Sequence, residues 1–256
     1  NSYNNSYNNS YNNSYNNSKK ITLLKIPRFT LKNLFLSNNF KSNRLDDDEI
    51  NNYTNYIFNL LNNKIDFYSD TAYGIFITIE KNNELRGCIG NFELKNELVK
   101  YIIEYTIRTA FNDNRFEPIN INELYELQYK INFLYKSEVI YPNNNLNIYN
   151  IINNDIILGT HGITLYFEDS KSSTFLASVL IDNFKFKKMN KENWNILERK
   201  LRRKANSNKK IIKIERYICK EFKENNNLLL KGGNYNNNLL PLFILGVSLI
   251  AQIRFK

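Results

Sequence analysis

The chain has 256 residues, enough for one large domain or two small ones, and its 18 Tyr and 17 Phe add to an ample aliphatic supply for a core. Two widely separated cysteines and a single histidine give no disulfide framework and no zinc-ligand spacing, which fits a reducing compartment, cytoplasm or nucleus. A net charge of +10 would suggest nucleic acid or an acidic membrane, but Asn, Lys and Ile are over-used throughout and share AT-rich codons, so codon bias accounts for part of the excess.

Residues 1–18 repeat Asn-Ser-Tyr-Asn four times. With no charge and only spaced Tyr as apolar surface, this stretch is expected to be disordered, or self-associating through its tyrosines. No signal peptide is visible, and a start at Asn1 rather than Met fits a fragment. Residues 19–44 read as an ambiguous linker. Asp46-Asp47-Asp48-Glu49 then precedes Ile50, Tyr53, Ile57, Leu60 and Leu61, a helical apolar face whose acidic first turn complements the helix dipole. The domain is therefore expected over 45–222.

Within it, Tyr73–Ile79 and Leu85–Ile89 are aromatic or β-branched runs around a Lys81–Glu84 turn, which predicts a hairpin. Glu97–Phe111 places Val99, Ile102, Ile103, Thr106 and Ala110 on one helical face. Strands are expected at Leu127–Tyr135, Thr164–Phe167 and Ile211–Lys220, and a helix at Lys191–Ala205 with Trp194, Leu197, Leu201 and Ala205 inward. Strands interrupted by helices indicate α+β, with mainly antiparallel pairing. Residues 223–256 form a tail whose apolar run, 239–253, falls short of the roughly 20 residues that span a bilayer. It reads as a docked terminal helix, as read-through of non-coding sequence, or as a tail anchor that would make this a membrane protein.

Three local features carry chemical interest. Arg86-Gly87-Cys88-Ile89-Gly90 sets two glycines around a cysteine on a strand, where glycine allows close approach of a backbone or ligand. Asp113-Asn114-Arg115-Phe116 follows a helix and can pair acid with base. Gly159-Thr160-His161-Gly162-Ile163 holds the chain's one histidine between glycines.

Together these resemble the AMMECR1 domain family. Its signature hexapeptide Leu-Arg-Gly-Cys-Ile-Gly stands at 85–90, and its Ala-x-x-Asp-x-Arg-Phe corresponds closely to Ala110–Phe116. The likeness continues through Pro118, Glu123-Leu124, Glu138, Gly159–Ile163 and Arg216-Tyr217. It implies a two-lobed α+β domain, a sheet-containing lobe and a smaller one, with the hexapeptide lining the cleft between them. It assigns neither a reaction nor a cofactor, and its only suggested partner is a Memo-type protein. One segment departs: the family's Thr-Tyr-Leu-Pro-Glu-Val reads Thr174-Phe175-Leu176-Ala177-Ser178-Val179 here, so Pro and Glu are gone.

Two functions follow as expectations. In the first, a small ligand occupies a cleft formed by Arg86, Gly87, Gly90, Asp113 and Arg115, with Cys88 as nucleophile and His161 as its base. The plainer readings are Cys88 as a small buried space-filler, His161 as a turn cap, and Asp113–Arg115 as a structural ion pair. In the second, the chain is a non-catalytic adaptor or nucleic-acid-associated regulator. It would then use Arg199, Lys200, Arg202, Arg203 and Lys204, a stripe equally suited to a solvated face. No metal site is expected, since there is no second histidine.

Overall fold

The computed structural model describes residues 23–37, 40–61, 72–94, 97–142 and 148–224. The repeat at 1–18 and the apolar run at 239–253 lie outside them. Among the described residues no helix is long and apolar enough to cross a membrane.

Residues 23–35 are helical (α1), followed by α2 (Asp47–Leu61). Helix α2 starts at a reciprocal cap: the Glu49 N–H donates to Asp46 at 2.8 Å, and the Asp46 N–H to the Glu49 carboxylate at 2.9 Å. The hairpin follows as β1 (Gly74–Lys81) and β2 (Glu84–Asn91), its turn made by Asn82 and Asn83, both at positive φ. Then come α3 (Leu98–Phe111), β3 (Leu127–Tyr141), α4 (Ile148–Asp155), β4 (His161–Phe167), β5 (Ser172–Phe175), α5 (Ala177–Asp182), α6 (Lys191–Ala205) and β6 (Ile211–Lys223). The expected hairpin and the strands and helices around it form where the apolar patterns place them. Helices α4 and α5 and strand β5 were not anticipated, being short or masked by Asn and Ser, and neither was α1, which has Pro27 in its first half.

One six-stranded sheet runs β2-β1-β3-β6-β4-β5, with every neighbouring pair antiparallel, so the fold is α+β as expected. Ile75, Ile77 and Ile79 of β1, with Leu127, Tyr129, Ile131 and Phe133 of β3, point to one face and bury against α1–α3. On β4 and β6, Ile163, Leu165, Phe167, Ile211 and Ile214 pack with Trp194, Leu197 and Leu201 of α6. A smaller cluster uses alternate residues of the same sheet: Leu134, Tyr217 and Cys219 meet Leu176 and Ala177, with Phe76 and Val179 against them.

The segment read as a linker belongs to this unit. Leu23, Leu24, Ile26, Leu31 and Leu34 are buried in the same core as β1 and α3. Arg44 donates to the carbonyls of Phe111, Asp113 and Phe116 at 3.1, 2.8 and 2.6 Å, so it pins the loop after α3. The packed body therefore begins ahead of Leu45.

Candidate functional site

Strands alternate their side chains between two faces. The residues of β1 that turn away from the α1–α3 core, Phe76, Thr78 and Glu80, share their face with Cys88, which pairs with Thr78 in register. They line a cleft of about 610 Å³, closed opposite by Thr174, Phe175, Leu176, Ser178 and Val179. Cys88 and Thr174 come from the two edge strands of the sheet. A flat six-stranded sheet would hold its edges about 24 Å apart at the usual strand spacing. The sheet is instead curled, and α5 closes the cleft against its concave face.

The loop after α3 fixes Cys88. Asp113, whose side chain is 4% exposed, accepts from the Cys88 N–H at 2.8 Å. It also accepts from Arg115: the N–H at 3.2 Å, Nε at 2.9 Å and Nη2 at 2.6 Å. Arg115 Nη2 reaches back to the Cys88 carbonyl at 3.1 Å. Burial alone would raise the Asp113 pKa, but these bonds outweigh it and hold the carboxyl below its ordinary range.

The Cys88 thiol lies 3.2 Å from the Thr78 hydroxyl. Although the residue as a whole is partly exposed, burial of the thiol dominates and pushes its pKa up; Thr78, Arg115 and Lys204 offset only part of this. A raised pKa leaves little thiolate at neutral pH, the opposite of what a nucleophile needs.

Cys88 and His161 do not meet. His161 alternates with Ile163 and Leu165, which face α6, whereas Cys88 lies on the cleft face. Strands β1, β3 and β6 also separate the two in sheet order. His161 is 7% exposed and its Nδ1 accepts the Ile157 N–H at 3.0 Å, so it buttresses the turn before β4. Burial and then the nearby Arg216 lower its pKa, partly offset by a hydrogen bond with the Asp155 backbone. Arg216 itself pairs with Glu138 at 2.6 Å, closing a local network.

Arg86, Gly87 and Gly90 are also absent from the cleft lining. Arg86 is clamped by Glu123 through Nε at 2.9 Å and Nη2 at 3.0 Å, and donates to the Glu117 carbonyl at 2.8 Å. Its fork is thus spent on holding the loop 117–123. A Cβ on Gly87 would lie 2.6 Å from the Thr109 carbonyl oxygen, so this glycine lets β2 approach α3. One on Gly90 would meet the Ile75 carbonyl oxygen at 2.2 Å and the Phe76 ring at 2.4 Å. That glycine lets Phe76 lie across β2 and form the cleft wall.

Of the expected site residues, then, the structure brings Cys88 and Arg115 to the cleft, with Asp113 directly behind them. It adds residues that sequence reasoning missed for this purpose. Lys204 turns from the end of α6 toward the cleft and donates to the Thr174 carbonyl at 2.9 Å, its ammonium 5.0 Å from the Phe175 ring centre. Ser178, at the departure from the family pattern, also lines the wall. In the sequence only that departure signals the wall, and Lys204 falls within the basic stripe. The floor away from Cys88 carries Glu80, paired with Lys130 at 2.5 Å and Lys223 at 3.3 Å, and Glu221, which accepts from Asn132 at 3.4 Å.

The basic stripe of α6 is divided. Arg202 pairs with Glu198 at 2.8 Å and donates to the Lys209 carbonyl at 2.6 Å, and Lys204 faces the cleft, leaving Arg199, Lys200 and Arg203 exposed. Among the described residues no three His, Cys, Asp or Glu side chains gather as a metal site.

The AMMECR1 family model matches residues 30–222. Uncharacterized protein YOR289W of Saccharomyces cerevisiae is 35% identical over 121 residues, covering 46% of this chain and 44% of that protein. A protein of Caldivirga maquilingensis is 33% identical over 98 residues, 36% of this chain and 43% of its own length. The chain thus spans less than half the length of these curated relatives. The crystal structure of uncharacterized protein PH0010 from Pyrococcus horikoshii superimposes with a TM-score of 0.50 at 18% identity, covering 79% of this chain and 90% of that one, which is a likeness of fold.

Proposed function

We infer that this chain, which belongs to the AMMECR1 family, binds a small ligand in the cleft beside Cys88, and that Cys88 serves there as wall and hydrogen-bonding group. The observation that carries this reading is the cleft itself, about 610 Å³ and lined by aromatic, aliphatic and charged side chains from both edges of the curled sheet. Its size falls in the usual range for small-molecule sites, roughly 300–1,000 Å³, and its mixture of an apolar body with a few placed polar groups is their usual composition. Phe76, Leu176 and Val179 would cover the apolar part of a ligand, and Thr78, Arg115 and Lys204 would orient its polar part.

Nucleophilic catalysis by a Cys88–His161 pair receives no support from this arrangement, because the two side chains lie on opposite faces of the sheet and burial pushes the thiol pKa up. The deciding experiment is native mass spectrometry, with extraction of small molecules that co-purify with the full chain. A bound species at stoichiometric level is expected. It should be lost when Val179→Trp fills the cleft while the fold persists by circular dichroism. A wild-type protein that carries nothing, and whose cleft resonances respond to no member of a small-molecule fragment library, would remove the reading.

A further inference from the structure

We propose that the Cys88 end of the cleft is an anion subsite, in which Arg115 and Lys204 together take a carboxylate or phosphate group of the ligand. The proposal deepens the reading of the cleft as a ligand site and rests on it.

Asp113 grips Arg115 through Nε and Nη2, and Nη2 also reaches the Cys88 carbonyl, so the guanidinium is fixed in place. Its Nη1 has no hydrogen-bond partner among the described residues, the guanidinium lies 5.4 Å from the Phe116 ring centre, and Arg115 lines the cleft. Lys204 Nζ makes one bond, to the Thr174 carbonyl, and has no carboxylate partner among the described residues. A rigid guanidinium with a free N–H pair, lining the same cleft as an ammonium with two remaining donors, can bind an oxyanion through charge-assisted hydrogen bonds.

The charge count at this end points the same way. Asp113 is the carboxylate behind Arg115 and already accepts four N–H groups, from Cys88 and Arg115. The other carboxylates lining the cleft make no ion pair with Arg115 or Lys204 among the described residues: Glu80 pairs with Lys130 and Lys223, Glu221 accepts from Asn132, and Asp182 lies on α5. The start of α5, which could have supplied a counter-charge, presents Ser178 to the cleft.

Two cations therefore share one used carboxylate. Burial of the Lys204 ammonium lowers its pKa; the Cys88 side chain offsets part of this and Arg115 lowers it further, although the residue overall is exposed. A ligand anion between the two would relieve the repulsion and replace the lost hydration. The Phe175 ring under the Lys204 ammonium holds it without neutralising it.

The test titrates the isotope-labelled full chain with benzoate, phenyl phosphate, benzamide and benzylamine, following cleft resonances by NMR. Benzoate or phenyl phosphate should bind at least about tenfold more tightly than benzamide, the scale of one charge-assisted hydrogen bond. Benzylamine should be weakest. Lys204→Gln should abolish the preference and Lys204→Arg should retain it. If benzamide fills the cleft as tightly as benzoate, or the preference survives Lys204→Gln, the anion subsite is overturned while the ligand cleft stands. If no member of the fragment library, these four probes included, moves a cleft resonance and no compound co-purifies, the cleft reading falls and takes the subsite with it. The ranking of the four probes on the wild-type chain needs no variant, so it decides for or against the subsite even where Lys204→Gln fails to fold.

Discussion

The Cys88 N–H donates to the Asp113 carboxylate at 2.8 Å, and this bond ties the signature strand β2 to the loop after α3. The same carboxylate orients Arg115. One buried acid thus sets both the strand that bears the thiol and the cation beside it. Replacing it separates these roles from any direct part in binding.

Asp113→Ala leaves the Cys88 N–H without its acceptor and frees Arg115. It should cost about 2–3 kcal/mol, the range for losing hydrogen bonds to a buried charged group. Urea unfolding should show a lower midpoint with an unchanged slope. An unaltered midpoint would show that the loop does not depend on this carboxylate.

The same group gives a pH dependence whose sign is fixed. Asp113 and Glu123 both have folded-state pKa values below their ordinary ones, so their contribution is present above the unfolded values, 3.8 and 4.5, and is lost as pH falls through the lower folded values. Stability measured from pH 6 down to pH 2 should fall less steeply in Asp113→Asn than in the wild type. Parallel curves would place the effect elsewhere.

His161 acts in a second window. Its folded pKa lies below 6.5, so the unfolded chain takes up its proton more readily, and stability present above 6.5 is lost as pH falls toward the folded value. The imidazole proton resonance should titrate with a midpoint below 6.5, and Cys88→Ala should leave that midpoint unchanged. A shift on removing the thiol would restore the catalytic pairing.

Thiol chemistry supplies an independent check. The Cys88 thiol should react with iodoacetamide more slowly than a free cysteine at pH 7–8, with a rate that rises past the ordinary thiol pKa of 9.0. Cys219, pushed up to about 12 mainly by burial, should be slower still. Rapid labelling of Cys88 at pH 7 would return it to candidacy as a nucleophile.

Truncation tests the reach of the packed body. A chain beginning at Leu45 lacks the buried leucines of α1 and the Arg44 clamp on the loop that carries Asp113. Each fully buried aliphatic side chain is worth about 1.5–3 kcal/mol, so this chain should not unfold cooperatively, whereas one beginning at residue 20 should. A sharp calorimetric transition from the shorter chain would mean that α1 is dispensable.

How far the sequence reached follows from the range over which its signals act. The β1–β2 hairpin, α2, α3 and α6 were legible because each carries its own apolar period and turn or cap residues, which are local. Strand β5 has only four residues, and α5 only six, too few for a period to show. Residues 23–35 read as a linker because their leucines are buried in a core shared with α2, β1, α3 and β3, elements that lie later in the chain.

The signature around Cys88 was conspicuous from the outset, and its residue types alone marked the region. Sequence could also say that Asp113 and Arg115, two residues apart, would pair. What each conspicuous residue does was decided by the tertiary fold. Alternation along β4 sends His161 to the α6 side, Glu123 occupies Arg86, and the two glycines make room for Thr109 and Phe76. The curl of the sheet then carries Lys204, far along the chain, to the same cleft as Arg115. Which face a strand residue takes depends on what packs against each side, and which edges meet depends on the accumulated curl of six strands; neither is encoded in neighbouring residues.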